Sequence, residues 1–438
     1  MLLLFVLFLI VGVLIVLTTY FKVSPFIALL LVTILAGICL GMPLQNLVKS
    51  LQKGIGDMLG SILIILAAGA MIGKLVAESG AAEVIADRVM QVCGKKYLQW
   101  GLMLTGLIIG IPLFYTVGFV LVVPIIFSLV YQYKLPAVYI AIPMLASLSV
   151  AHSLLPPHPS PASLVVTFQA NMGLTFLYGI TVAIPAIILA GPVFSMTLKN
   201  IQSKEELIQK VEKQENLTLP SFSNSIFSAM LPVFLLAISA LLAYFNFGRI
   251  AMAQLIGFIN EPTVLMLFAL CVVTYSLGIA QGKTIAHTMS IYENGIKDVA
   301  AILLIIGASG ALKQVLIDSN TSALIATYCS NFNLHPLVLG WLIAAIIRVF
   351  LGSATVAGLT AAGIIAPMMP TIHTNPNLMI LAIGSGSIFF SHINDAGFWL
   401  FKEYFKVSIK DTFLSWSLME SIVSVVGLLG VLALSTFL

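Results

Sequence analysis

The segment His152-Ser153-Leu154-Leu155-Pro156-Pro157-His158-Pro159-Ser160-Pro161 interrupts an otherwise apolar part of the chain. It follows the apolar run from Val138 to Ala151, and four prolines in ten residues cannot continue a helix. Inside lipid, the backbone groups freed by such a break must be satisfied by protein or by a water-filled cavity. The segment therefore predicts an unwound stretch of a membrane helix that offers carbonyls, imidazoles and hydroxyls to a ligand.

A second break lies 240 residues further on, at Ser391-His392-Ile393-Asn394-Asp395-Ala396-Gly397. At this shift a histidine, a proline and a carboxylate each fall on a residue of the same kind: His152 on His392, Pro136 on Pro376 and Glu78 on Asp318. One register for three unlike residue types indicates two related halves. Duplicated halves in an apolar chain are typical of secondary transporters, which bind substrate where the repeats meet.

Each half also contains an earlier break, flanked by short apolar arms. In the first half it extends from Gly110 to Gly118, and in the second half Arg348 to Gly358 lies at the shifted position. The short arms predict re-entrant hairpins, the first with its tip near Tyr115 and Thr116. Each half would then pair a hairpin with a broken helix, and two such pairs could enclose one small ligand.

The composition indicates a membrane protein. Of 438 residues, 60% are hydrophobic and 8% are charged, whereas soluble domains carry about 25% charged residues. Apolar runs long enough to cross about 30 Å of hydrocarbon recur at Leu2–Thr18, Pro25–Leu40, Leu174–Phe194, Phe222–Phe245, Pro262–Ala280 and Phe413–Leu434. We therefore predict an all-α polytopic protein in a lipid bilayer. The net charge of +4 is too small to indicate a nucleic-acid partner.

The breaks and the polar stretch that begins at Lys199 predict five regions. These are N-terminal scaffold helices (1–44), a first repeat (45–198, with its hairpin at 102–130 and its broken helix at 136–172), a polar loop (199–225), connecting scaffold helices (226–283) and a second repeat (284–438, with its hairpin at 341–370 and its broken helix at 376–405). Basic loop residues fall at different positions in the two halves, which favours an inverted-repeat transporter under the positive-inside rule.

Two charged residues within apolar sequence are candidates for function, because charge inside a membrane is costly. Arg348 suits bidentate capture of a carboxylate; the alternatives are a structural pair with Asp395 or a side chain that reaches the interface. Asp395 is a candidate proton carrier, sodium ligand or partner of the arginine. Glu78 and Asp318 lie at the ends of apolar segments, where capping a helix is the simpler interpretation.

Polar side chains at the four breaks form the candidate site. The candidate substrate-binding residues are Tyr115, Thr116, His152, Ser153, His158, Ser160, Arg348, Ser353, Thr355 and Asn394. The candidate ion-coupling residues are Asp395, His392, His152 and His158, since imidazoles titrate near neutral pH. A structural interpretation stands beside each of them, because a lone buried histidine is more often a satisfied core residue and a single serine or threonine often caps a half-helix.

Three segments resemble one family closely: Leu154 to Pro159, Leu351 to Ala357 and Ser391 to Phe405. With them the chain is similar to the gluconate permease family of bacterial sugar-acid symporters, from about residue 50 to its end. The resemblance implies a multi-pass protein of the bacterial inner (plasma) membrane that imports gluconate or a related small hydroxy acid by proton symport, without a cofactor. It also implies membership in the ion-transporter superfamily and a homodimer with a scaffold domain and a mobile transport domain that moves as an elevator.

One departure from the family pattern affects the coupling ion. Where this chain has Thr116, relatives usually have an acidic residue, so coupling here would use Asp395, a histidine or another ion such as sodium. The family also includes members that resemble permeases for idonate, fructuronate and D-serine, which leaves the exact anion open. A cation/proton antiporter and a channel are the rival transport classes. An enzyme is disfavoured because the chain has no His-Glu-x-x-His motif and no paired cysteines with metal spacing.

Overall fold

The computed structural model describes residues 9–10, 12–113, 115–201, 219–244, 258–259, 261–319, 334–372, 374–393 and 395–438. Throughout these ranges the regular structure is helical. The main helices are α1 (Pro25–Cys39), α2 (Leu44–Glu78), α3 (Ala81–Cys93), α4 (Leu98–Gly110), α5 (Tyr115–Tyr133), α6 (Ala137–Leu154), α7 (Pro159–Thr167), α8 (Met172–Ile188), α9 (Phe222–Tyr244), α10 (Pro262–Val273), α11 (Ile285–Asp318), α12 (Pro336–Leu351), α13 (Ala354–Ile365), α14 (Pro376–Gly386), α15 (Ala396–Phe405) and α16 (Leu418–Ser435).

The helix boundaries follow local sequence signals. A proline occupies the first turn of α1, α7, α10, α12 and α14, where its missing N–H leaves no hydrogen bond unmade. Ser24, Asn171 and Thr284 cap α1, α8 and α11 by accepting a bond from the backbone N–H three residues on. Gly80 separates α2 from α3 in the left-handed conformation, at φ 77°.

Within the described residues, six helical segments are long and apolar enough to cross a membrane: Leu44–Glu78, Ala137–Thr167, Met172–Leu198, Pro262–Gln281, Ile285–Asp318 and Ile409–Ser435. They confirm the prediction of an all-α polytopic membrane protein. The predicted run Leu2–Thr18 lies partly outside the described residues, and most of the predicted polar loop, residues 202–218, does so as well.

The two longest helices, α2 and α11, pack along each other. At their close approach, a residue of one helix contacts a residue of the other, and the corresponding residues of the opposite helices are also in contact. A Cβ atom built on Gly54 would come within 2.4 Å of the carbonyl oxygen of Gly310, and one built on Gly295 within 2.8 Å of that of Ala70. By sequence, Ala70 corresponds to Gly310 at the shift of 240, and Gly54 corresponds to Gly295 at a shift of 241, which one inserted or lost residue before Ile62 would produce. Contact between i and j together with contact between their counterparts is what a two-fold relation produces. Small residues at such crossings let membrane helices approach closely.

Helix interruptions occur at all four predicted breaks. The pairs α4–α5 and α12–α13 lie where hairpins were predicted, and α6–α7 and α14–α15 where broken helices were predicted. In each half the first helix of the pair packs along the first segment of the broken helix, α4 on α6 and α12 on α14. Whether the pairs re-enter the membrane from one side, and whether the halves are inverted, remain predictions.

The turn between α4 and α5 does not lie where the tip of the first hairpin was predicted. Its tip was placed near Tyr115 and Thr116, but α4 ends at Gly110 and Tyr115 already begins α5. The reason is Pro112, which has no N–H and cannot continue the hydrogen bonding of α4. The prediction of the tip was therefore wrong by about one turn, and Tyr115 is held in a helix rather than in a loop.

Candidate functional site

A cavity of about 280 Å³ lies where the interruptions meet. Its lining comes from both halves, and the part from the second half includes residues of α11 and of the last helix. The lining residues include Tyr115, Ser149, His152, Ile302, Ile305, Arg348, Ser353, Thr355, Asp395, Trp416 and Glu420. The volume is near the lower end of the roughly 300–1,000 Å³ typical of small-molecule sites. The arrangement suits one small ligand held by polar groups on one side and apolar side chains on the other.

An ion pair forms the charged side of the cavity. The Arg348 Nη2 atom lies 2.5 Å from Asp395 Oδ2, and the two side chains are only 4% and 15% exposed. Asp395 also accepts a bond at Oδ1 from the backbone N–H of Gly397, at 3.0 Å, and another at Oδ2 from the hydroxyl of Ser391. Its carboxylate is thus held by three donors, which stabilise its charged form.

The guanidinium of Arg348 retains donors that the ion pair does not use. Its Nε and Nη1 atoms are buried and have no hydrogen-bond partner among the described residues. A buried charged donor without a partner is costly. Because Arg348 lines the cavity, its guanidinium is the positive charge that an anion bound there would meet.

Two helices begin at the same cavity. Ser353 caps α13 by accepting a bond from the N–H of Val356 at 3.4 Å, and Asp395 caps α15 through Gly397. The first residues of both helices line the cavity. The positive ends of two helix dipoles therefore reinforce the charge of Arg348.

Aromatic and imidazole rings form another wall of the cavity, with Tyr115 and His152 from the first half and Trp416 from the second. The Tyr115 ring lies 5.6 Å from the His152 ring and 6.3 Å from the Trp416 ring, measured between centroids. Trp416 Nε1 donates to the hydroxyl of Ser391 at 2.7 Å, which ties this wall to the second break. The hydroxyl of Tyr115 and Nδ1 of His152 are buried and have no partner within the described ranges.

A second carboxylate, that of Glu420, faces the cavity from α16. Its side chain is 3% exposed, and its Oε1 atom accepts a hydrogen bond from Ser149 at 2.5 Å. In the part of the chain that the structure describes, its Oε2 atom has no hydrogen-bond partner. Glu420 is thus much less well satisfied than Asp395, although both face one cavity.

The structure places five of the predicted substrate-binding residues at the cavity: Tyr115, His152, Arg348, Ser353 and Thr355. Of the predicted ion-coupling residues, it brings Asp395 and His152 there. The side chain of Thr116 and the whole of Asn394 lie outside the described residues.

The other predicted residues are described but do not line the cavity. Nε2 of His158 donates to the carbonyl of Gly110 at 2.8 Å, and Nε2 of His392 to that of Val349 at 2.7 Å. The Ser153 hydroxyl donates to the carbonyl of Ser149 in its own helix. Ser160 Oγ is buried in the contact between α7 and α13. The two histidines suit the interpretation as satisfied structural residues, whereas neither serine makes the helix-capping bond of the alternative interpretation within the described residues.

Sequence analysis missed Ser149, Trp416 and Glu420. A signal existed for Glu420, because a carboxylate within the apolar run Phe413–Leu434 is itself a functional hypothesis. No comparable signal marks the other two. Among the described residues, no three His, Cys, Asp or Glu side chains are grouped to hold a metal ion.

The GntP family permease model matches residues 1–437 of the chain. The chain belongs to this family. It is therefore a membrane permease and not an enzyme, and a multi-pass protein of the bacterial inner membrane, in keeping with its six candidate spans.

Several named relatives of this permease match it over nearly their whole length. A high-affinity gluconate transporter of Escherichia coli is 42% identical over 416 residues, 95% of each chain. The Gnt-II system L-idonate transporter of the same organism is 42% identical over 429 residues, 98% of each chain. A gluconate permease of Bacillus subtilis is 40% identical over 428 residues, covering 94% of this chain and 95% of the relative.

A solved structure has a similar fold. The Alcanivorax borkumensis YdaH transporter, described as having an unusual topology, matches with a TM-score of 0.66 at 16% identity, covering 94% of this chain and 97% of that one. At this identity the likeness concerns the fold alone. It supports the predicted all-α polytopic fold.

Proposed function

We propose that this permease imports gluconate or a closely related small hydroxycarboxylate by proton symport. The observation that carries the proposal is Arg348, a buried residue that lines the cavity and whose Nε and Nη1 donors have no hydrogen-bond partner among the described residues. A guanidinium that keeps free N–H groups beside a paired one can hold a second carboxylate through a charge-assisted hydrogen bond. The relatives, which are named as gluconate and L-idonate transporters, supply the substrate class.

The remaining lining fits a polyhydroxylated chain. Beyond the carboxylate, the hydroxyls of Ser353, Thr355 and Tyr115 and the ring of His152 offer both donors and acceptors. Ile302 and Ile305 lie on the α11 side of the cavity and contribute apolar contact. A ligand with one carboxylate and several hydroxyls would use the arginine at one end and the neutral groups along its length.

An elevator movement would carry the site across the membrane. The helix pairs and broken helices would form the mobile body. The predicted scaffold helices α1, α9 and α10, together with the long helices α2 and α11, would form the scaffold. The contacts across this boundary include a hydrogen bond from Lys313 Nζ of α11 to the carbonyl of Thr167 at the end of α7, at 2.7 Å. Contacts of this kind would break and reform as the mobile body moves, and a homodimer would hold the scaffold in place.

Uptake of labelled D-gluconate into proteoliposomes tests the proposal. An inward proton gradient and an inward sodium gradient are imposed separately, and liposomes without protein give the background. Accumulation driven by the proton gradient is expected, since symport of a monoanion with one proton moves no net charge. Accumulation driven by sodium alone would contradict proton coupling, and absence of saturable uptake under either gradient would contradict the substrate class.

A further inference from the structure

Glu420 is a buried carboxylate in a membrane helix, and the function proposed above does not yet use it. It lies in the first turn of α16, is 3% exposed and faces the cavity. A carboxylate in this position is costly when charged unless it has partners. Its contacts therefore indicate which protonation state the cavity favours.

Few groups stabilise a negative charge on Glu420. One hydroxyl, that of Ser149 on α6, donates to Oε1 at 2.5 Å, and Oε2 has no hydrogen-bond partner in the described part of the chain. The charged and titratable groups that face it across the cavity are Tyr115 of α5, His152 of α6, Arg348 of α12 and Asp395 before α15. The positive charge among them, Arg348, is already paired with Asp395.

The sum of charges in the cavity links the anion to Glu420. Arg348 and Asp395 together contribute no net charge, so a bound carboxylate brings the site to one negative charge. An ionised Glu420 would add a second negative charge in surroundings of low dielectric, where like charges repel strongly. A neutral Glu420 removes this repulsion. Binding of the anion and binding of a proton at Glu420 must then favour each other, and by linkage the effect is reciprocal.

We propose that Glu420 is the residue that carries the coupled proton, an inference that rests on the proposed symport of a hydroxycarboxylate. A proton from the outer solution converts the carboxylate of Glu420 to the carboxylic acid, and the substrate anion binds to the neutralised cavity. After the site opens inward, the anion leaves, the carboxyl loses its proton to the inner solution, and no other bond is made or broken. Asp395 instead positions the guanidinium of Arg348.

The test compares Glu420→Gln with the wild type in proteoliposomes. Glutamine is neutral and nearly isosteric, so it should mimic the protonated state at every pH. Exchange of labelled for unlabelled D-gluconate without a gradient is expected to stay within about threefold of the wild type and to lose its pH dependence. Accumulation under a gradient of one pH unit, about tenfold for one proton per anion, should fall to the equilibrium ratio of about one.

Glu403→Gln is the matched control. Glu403 lies on α15, its side chain is 58% exposed and it pairs with Lys402 rather than with a group of the cavity. This variant should accumulate D-gluconate as the wild type does, with the same rise in exchange as the pH falls. Loss of accumulation in both variants would show that the effect does not depend on the position of the carboxylate, which would contradict the inference.

Three outcomes separate the inference from the function on which it rests. Proton-driven accumulation by both the wild type and Glu420→Gln would overturn the role of Glu420 and leave the symport intact. No proton-driven accumulation by the wild type would overturn the proposed symport and, with it, the role of Glu420. A folded Glu420→Gln protein that neither binds nor exchanges D-gluconate would also overturn the inference, since a neutral side chain should admit the anion.

Ser149→Ala keeps the inference testable if Glu420→Gln does not purify as a folded protein. Removal of the hydroxyl that donates to Oε1 takes away a contact that favours the charged carboxylate. The pH at which exchange is half-maximal should therefore move upward, by about one unit. An unchanged pH profile in a folded Ser149→Ala protein would overturn the role of Glu420.

Discussion

In both halves of the molecule, a histidine in the break of the broken helix donates to a backbone carbonyl. That carbonyl lies in the last turn of the first helix of the preceding helix pair. His158 reaches Gly110 at the end of α4, and His392 reaches Val349 near the end of α12. The charged groups are not shared in this way. Arg348 and Asp395 belong to the second half, whereas the first half contributes Tyr115 and other neutral polar side chains to the cavity.

The comparison separates two kinds of requirement. The backbone at each break needs partners wherever it lies in a membrane, so both halves keep a histidine that supplies one. An anion site needs only one fixed positive charge, and a second buried arginine would cost free energy without another anion to pair with it. The predictions below test this division between shared structural contacts and charge confined to one half.

The largest effect is expected at Arg348. Arg348→Gln removes the positive charge and leaves Asp395 without its partner, so affinity for D-gluconate should fall about 100-fold or more, on the order of 3 kcal/mol. Arg348→Lys should retain only part of the affinity for D-gluconate, because an ammonium cannot bind a carboxylate in a bidentate manner. Titration of purified protein by calorimetry measures both.

Arg88→Gln is the control for the arginine. Arg88 lies exposed on α3 and bonds Gln91 on the same helix, so this variant should bind as the wild type does. Equal losses for Arg88→Gln and Arg348→Gln would show that the second half has no special role in binding the anion.

A smaller effect is expected at Asp395. Asp395→Asn keeps the shape of the helix cap but weakens the hold on the guanidinium, so exchange should fall about tenfold. The rise in exchange as pH falls should persist, because Glu420 still carries the proton. An Asp395→Asn protein that exchanges D-gluconate independently of pH would instead return the coupling role to Asp395.

The two histidines should matter for stability in both halves. Each substitution by alanine leaves a carbonyl without its donor, at a cost of about 1–3 kcal/mol. His158 is 4% exposed and His392 less completely buried, so His158→Ala should lower the thermal unfolding midpoint more. His287→Ala, at an exposed position on α11, should leave it unchanged, and a midpoint unaffected by either of the other two would refute the shared structural role.

The smallest effects are expected at two serines, one in each half. Ser353 caps α13, and its replacement by alanine should cost about 1 kcal/mol. The buried hydroxyl of Ser160 has no partner among the described residues, so Ser160→Ala should be neutral or slightly stabilising. Thermal unfolding of the two variants side by side measures the difference in stability. A lower unfolding midpoint for Ser160→Ala than for Ser353→Ala would contradict this prediction.

The sequence was sufficient to predict most of the fold. Clusters of proline, glycine and polar residues within apolar runs predicted the four interruptions. Such clusters are easily recognised, because the backbone groups that they leave unpaired are costly in lipid. Arg348 and Asp395 were found by the same reasoning. The contact between them was open as one alternative, and only the fold brings residues 47 positions apart to 2.5 Å.

The rest of the site depends on tertiary packing. Glu420 is a single carboxylate in a long apolar run and does not disturb its helical pattern, and its partner Ser149 lies 271 positions away. The shift of 240 pairs His152 with His392, yet His158 is the one that shares the role of His392. In the first half the break follows His152, and the chain then brings His158 to the end of α4. The backbone therefore follows a different path at the two breaks, and the alignment of the two halves does not reveal this.

A structure of the protein determined with D-gluconate bound tests the central claim most directly. We predict that the carboxylate lies in this cavity and accepts a hydrogen bond from the Arg348 guanidinium at about 3 Å, while Nη2 keeps its contact with Asp395. Density for D-gluconate elsewhere, or in the cavity with its carboxylate away from Arg348, would contradict an anion site built from the second half.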